Sequence, residues 1–210
     1  MIDLINALLV IVLVLNLFAL GSSRIQSVIR LVAAQGALLG LITLLMHERL
    51  TIPIVFSAVA AVLIKGIIIP AIMVRSLRAA DIKREVEPFI GFLPSIVLGA
   101  AATAAALLFS SAMVTNAPSL IVPAAVATVL VGFIILISRF KAISQVLGYL
   151  VLENGIYIFG MLLIEAIPLV VEMGMLLDLF VGIFVISIIA NHINQAFSSM
   201  DTRRLVNLKE

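Results

Sequence analysis

Two short stretches decide how this chain folds: VLIKGIIIP, residues 62–70, and YLVLENGIY, residues 149–157. Each lies near the middle of a long apolar run and places one charge there, Lys65 in the first and Glu153 in the second. A charged side chain at the bilayer centre costs from about 3 to more than 10 kcal/mol, so such groups persist where they face a protein interior, meet a partner, or carry protons or ions.

Outward from these stretches the chain stays apolar. Hydrophobic residues make up 64% of the 210 and charged residues 11%, with a mean hydropathy of +1.33. A soluble domain of this size needs far more polar surface to cover its core, so the composition predicts an all-α integral membrane protein. Seven apolar segments can be drawn, at about 3–20, 26–46, 53–75, 88–110, 119–138, 142–165 and 175–198. Each approaches or exceeds the roughly 20 residues that cross about 30 Å of hydrocarbon as a helix. The first run follows Met-Ile-Asp without a basic region, which reads as a retained helix and not a signal peptide.

Charge in the connections predicts orientation. Arg24, Arg30, Arg75, Arg78, Lys83, Arg84, Arg139, Lys141, Arg203, Arg204 and Lys209 fall on one side, and Arg49 on the other. The positive-inside rule then sets the N-terminus outside and the C-terminus in the cytoplasm. Basic residues scattered over short loops do not make a nucleic-acid face. The stretch SLRAADIKREVE, residues 76–87, reads as a short amphipathic connection, and IPLVVEMGM, residues 167–175, as an interfacial one.

RLVAAQGALLGLITLL from Arg30 can be laid on YLVLENGIYIFGMLLI from Tyr149, pairing Gln35-Gly36 with Asn154-Gly155. The expected organisation is therefore two parallel three-helix units, 1–78 and 119–210, with 79–118 holding the cytoplasmic connector and a linking helix. In that linking helix Ser95, Gly99 and Thr103 recur every four residues, a spacing that suits close helix packing.

Glu153 lies about 17 Å into its helix and Lys65 about 18 Å into its own, so both are near the midplane. Alone in hydrocarbon each would shed its charge; together they would hold each other charged and titrate as a coupled pair. Both alternatives are open, as is a purely structural ion pair or a lock between subunits. Pro70 cannot donate to the carbonyl of residue 66, which predicts a kink or a freed carbonyl beside the lysine. Asp178 and His192 share one face of the last span; His192 suits loading or releasing protons, or is solvated at the boundary, and Asp178 is a second proton-transfer candidate or an interfacial carboxylate. Gln35, Asn154, Tyr157 and Asn191 fit a polar lining.

There is no cysteine, so thiolate-bound clusters and zinc sites and disulfides are excluded within the chain. No nucleophile–histidine–acid set, phosphate-binding glycine loop or two-histidine metal motif occurs, and no metal or cofactor is expected.

The second unit, GYLVLENGIYIFGMLL with DLFVGIFVISIIANHINQ, resembles subunit K of respiratory complex I and the related small subunit of multisubunit cation/proton antiporters. The whole chain, with IKGIIIP in its third span, is most similar to component E of hydrogenase-4 and related energy-converting nickel-iron hydrogenase complexes. Against the subunit K pattern Glu153 is displaced by about one turn, with Leu150 in the carboxylate's place and Ile188 where a third-helix carboxylate falls. The resemblance implies a non-catalytic subunit of a proton-translocating arm in a prokaryotic inner membrane. Its partners would be antiporter-like and other membrane-arm subunits, a peripheral hydrogenase or redox module, and the lipid bilayer. A subunit of a cation/proton antiporter, a structural spacer between pumping subunits, and a stand-alone transporter are the alternatives.

Overall fold

A computed structural model describes residues 2–47, 51–79, 88–113 and 120–162. The seventh segment, 175–198, lies outside the described residues, and with it Asp178, Asn191 and His192. So do most of SLRAADIKREVE and all of IPLVVEMGM.

The described chain is an all-α membrane bundle. Helix α1 runs Ile2–Gly21, α2 Ile25–Met46, α4 Phe92–Met113, α5 Ile121–Ser138 and α6 Ala142–Gly160. Between α2 and α4 lies α3, a composite of Ile52–Ala60, a π-helical segment Ala61–Ile68 and Ile69–Ala79. Six spans are long and apolar enough to cross a membrane, and no strand occurs among the described residues. Runs of this length have few alternatives, because in lipid each must satisfy its own backbone.

Near Pro70 the structure refines the expected kink. The ladder widens upstream of the proline: the Ile69 amide donates to the carbonyl of Ile64, five residues back, and Lys65 sits within the widened turns. Such π segments mark helices whose regular ladder is interrupted, often where a side chain must be aimed.

Close approach of backbones sets the packing. A Cβ on Gly132 would lie 2.3 Å from the Leu152 nitrogen and one on Gly148 2.6 Å from the Leu136 nitrogen, so α5 and α6 touch backbone to backbone. A Cβ on Gly36 would lie 2.6 Å from the Cβ of Lys65, which brings α2 directly against the lysine. Small residues are what permit such contacts in membranes.

Helix α4 lies at the edge, against α1 and α5. A Cβ on Gly99 would lie 2.1 Å from Leu20 Cδ1, so this glycine makes the expected close contact. Its hydroxyl neighbours act differently: Ser95 Oγ donates to Gly91 O at 2.9 Å and Thr103 Oγ1 to Gly99 O at 2.8 Å, each bonding to the carbonyl four residues back in the chain. Leu93, Val97, Leu108 and Phe109 are exposed, a surface suited to lipid.

Two apolar clusters fill the bundle at different depths. One joins Leu20, Ile29, Val32, Met73, Ile135 and Leu147; the other joins Leu9, Leu13, Leu39, Ile54, Ala124 and Ile158. Along every helix that contributes to both, buried polar residues fall between them, namely Asn16, Gln35, Ser57, Lys65, Thr128, Glu153 and Asn154, while Thr43, Ser138 and Ser144 are buried nearer the helix ends. The fold is thus two apolar cores separated by a polar layer.

Candidate functional site in the polar midlayer

The residues of this layer sit mid-helix, where no helix end offers a spare donor or acceptor. Their partners must come across the bundle. Lys65 Nζ on α3 pairs with Glu153 Oε2 on α6, both nearly fully buried. Depth alone leaves open whether the two charges are isolated or together; they are together. Placing two ions in a low-dielectric interior is tolerable only when they pair and their remaining capacity is hydrogen-bonded.

That further bonding extends from the lysine in a chain. Lys65 Nζ also donates to Asn154 Oδ1 at 3.5 Å. Asn154 Nδ2 donates to Gln35 Oε1 at 3.3 Å, so the two positions aligned by the internal repeat meet directly. Gln35 Nε2 donates to Asn16 Oδ1 at 2.7 Å, and Asn16 Nδ2 to Thr128 Oγ1 at 2.9 Å. Thr128 closes the chain by donating to Ala124 O at 2.7 Å. One hydrogen-bonded line therefore runs from the ion pair through α6, α2 and α1 to α5.

A second branch is made of hydroxyls. Tyr157 lies one turn beyond Glu153 on α6, and the Lys65 ammonium is 4.9 Å from its ring centroid. The Tyr157 hydroxyl is 3.0 Å from Ser57 Oγ on α3 and 3.1 Å from Thr43 Oγ1 on α2. His47 Nδ1 lies 3.0 Å from the Thr43 carbonyl, at the end of α2. This branch leads from the ion pair toward the end of the bundle where His47 and Thr51 lie.

At the opposite end stand Arg24, Arg30, Arg75, Arg78, Arg139 and Lys141. Arg139, which the sequence places among the loop charges, is buried. Its Nη2 donates to Leu20 O at 2.6 Å, and its guanidinium is 4.5 Å from the Phe92 ring centroid.

The structure brings Glu153, Lys65, Gln35, Asn154 and Tyr157 into one site. Asn16, Thr128, Ser57, Thr43 and His47 join them, although the sequence pattern does not single them out. Of these Asn16 carries a readable signal, an amide inside an apolar run. Among the described residues no group of three or more histidine, cysteine or carboxylate side chains could hold a metal.

A protein of Mycobacterium tuberculosis (strain ATCC 25618 / H37Rv), named uncharacterized protein Rv0085, is 30% identical over 194 residues, covering 89% of this chain and 87% of the relative. The chain belongs to the family of that mycobacterial protein. No family model matches the chain, and no solved structure matches it.

Proposed function

We propose that this chain is a non-catalytic membrane subunit of a multisubunit energy-converting oxidoreductase of the hydrogenase-4 and complex I type, and that its Lys65–Glu153 pair carries protons through the midplane. The observation that supports this most is the pair itself, buried in a polar layer between two apolar cores. Passing one proton from Nζ to Oε2 turns an ion pair into a neutral pair with no change in net charge. That exchange is sensitive to any charge that a neighbouring subunit moves nearby.

The two branches divide the work by chemistry. Amides of Asn154, Gln35 and Asn16 hold fixed donors and acceptors, and they orient the lysine. Hydroxyls of Tyr157, Ser57 and Thr43 can each donate and accept, so they suit proton relay among themselves on the side of the pair that leads toward the outer end. Redox or ion-gradient energy enters through partner subunits, by altering how tightly the pair holds its proton. By the positive-inside rule the arginine-rich end is cytoplasmic and the N-terminus faces outward, and the resemblance to hydrogenase-4 and complex I subunits implies the prokaryotic inner membrane.

The test starts with purification of the tagged chain from its native membrane in mild detergent. Co-purification of antiporter-like subunits with a hydrogenase or related redox module is the expected result; antiporter-like subunits alone would make it part of a cation/proton antiporter. In the intact complex Glu153→Gln and Lys65→Met should lower proton yield per turnover. If both variants only reduce the amount of complex and leave that yield unchanged, the pair is an assembly lock and the chain a spacer.

A further inference from the structure

On the outer side of the contact between α2 and α3, toward the arginine-rich end, lies a cleft of about 530 Å³. Arg30 reaches its rim from α2, and Arg75 and Arg78 from α3; all are exposed. Its floor is apolar, formed largely by Ala33, Pro70 and Val74. Arg75 and Arg78, three residues apart, share a helix face. Farther toward the midplane on α3, Ile67 and Ile68 expose large apolar side chains.

Among the described residues the charge at this end is one-sided; Asp81, Glu85 and Glu87 of the connection that follows lie outside them. The carboxylates among the described residues are Asp3, near the start of α1 at the far end, and Glu153, which is held by Lys65. Neither can answer the rim arginines. A ligand for this cleft needs an anionic group that accepts from several guanidinium forks, joined to hydrocarbon that can lie on an apolar floor within the membrane. A free phosphate meets the first requirement and not the second.

We propose that this cleft binds an anionic phospholipid, with its phosphodiester among Arg30, Arg75 and Arg78 and an acyl chain running along the floor toward Ile67 and Ile68. Guanidinium groups bind phosphate oxygens in a bidentate fashion, and basic clefts between membrane helices select anionic headgroups. The site is separate from the ion pair and does not depend on the proton-carrying reading.

The experiment uses the full chain in mild detergent, titrated with dioleoyl phosphatidylglycerol, dioleoyl phosphatidylcholine or inorganic phosphate, and read by thermal shift and by native mass spectrometry for retained lipid. Phosphatidylglycerol should raise the melting temperature and stay bound, whereas phosphatidylcholine and phosphate should do neither. At about 1 kcal/mol per basic residue, Arg75→Gln/Arg78→Gln should weaken phosphatidylglycerol on the order of thirtyfold. Arg24→Gln, which removes an exposed charge at the same end outside the cleft, should leave it unchanged. Arg75→Lys/Arg78→Lys keeps the charge and should keep the preference with a several-fold loss, which separates recognition from a folding defect. Equal binding of the two lipids, equal losses in Arg24→Gln and the glutamine pair, or displacement of phosphatidylglycerol by phosphate would each overturn the proposal.

Discussion

Lys65 and Arg139 are both cations about 5% exposed, and both rest on an aromatic ring, Tyr157 for one and Phe92 for the other. Their remaining partners differ because their depths differ. Arg139 lies at the bundle end, where α1 stops and its last turn leaves carbonyls without intrahelical donors. It takes one of these, Leu20 O, at the negative end of the helix dipole. Lys65 lies mid-span, far from the helix ends and their spare carbonyls, and there a carboxylate from another helix meets it. The same charge thus needs only a neutral acceptor at the edge and a counter-ion at the centre.

The strongest way to break this contrast is to take the counter-ion away. Glu153→Leu takes the counter-ion from Lys65 and leaves it with Asn154 and the Tyr157 ring; it should cost about 3–5 kcal/mol, read as a collapse in yield and melting temperature of the purified chain. Adding Lys65→Met should restore most of it, since replacing both ions by apolar groups is close to neutral. If Glu153→Leu proves as mild as an Arg139 substitution, depth is not what separates the two sites. Next in size is Gly36→Ala. The new methyl would lie 2.6 Å from Lys65 Cβ and 2.8 Å from its carbonyl carbon, so α3 must move. A loss of about 1–3 kcal/mol is expected. It should be accompanied by loss of the pair, detected as a changed response to Glu153→Gln in the same background.

Much of this architecture is legible in the amino-acid sequence. Apolar runs of about 20 residues have one common solution in lipid, so the described helices fall close to the segments drawn from sequence. Lys65, Glu153, Gln35, Asn154 and Tyr157 stand out because each is polar inside such a run. Depth can be counted residue by residue, but the direction a side chain faces depends on how the helices are rotated, so the pairing of Lys65 with Glu153 cannot be read that way. Thr43 and Thr128 are hidden for another reason. Each donates to the carbonyl four residues back, Leu39 at 2.8 Å and Ala124 at 2.7 Å, and therefore carries its own satisfaction into the membrane. The π segment has no pattern of its own; Pro70 signals a disturbed ladder without saying how the chain resolves it. Arg139 reads as an ordinary loop charge because sequence does not show that the end of α1 and the start of α4 close over it.

At the bundle edge the expected effects are smaller than that of Glu153→Leu. Arg139→Met removes a charged donor from Leu20 O, and should cost about 1.5–3 kcal/mol, toward the lower figure where water reaches the end of α1. Arg139→Lys retains the charge but not the planar fork or its stacking on Phe92, and should lose about 0.5–1 kcal/mol. Thermal unfolding of the two variants beside Glu153→Leu gives the contrast a scale. A lysine as good as arginine at position 139 would show that charge alone, and not guanidinium geometry, is what the end of α1 selects.

The smallest effect should come from Asn16→Ala, although Asn16 links Gln35 to Thr128 in the heart of the polar layer. Both neighbours keep a partner: Gln35 Nε2 is 3.4 Å from Val12 O, and Thr128, which loses only the donor on its hydroxyl oxygen, still donates to Ala124 O. Interhelical hydrogen bonds in membranes average about 0.6 kcal/mol and reach about 1.7 kcal/mol, and the loss here should lie near the average. This makes Asn16 a clean probe of which branch moves protons. The amide branch orients Lys65, whereas the hydroxyl branch can relay, so Asn16→Ala should leave proton yield per turnover unchanged while Tyr157→Phe, which deletes the hydroxyl shared by Ser57 and Thr43, lowers it. The reverse pattern would move the path to the amide side, and equal yields in both variants would remove the relay role from the hydroxyls altogether.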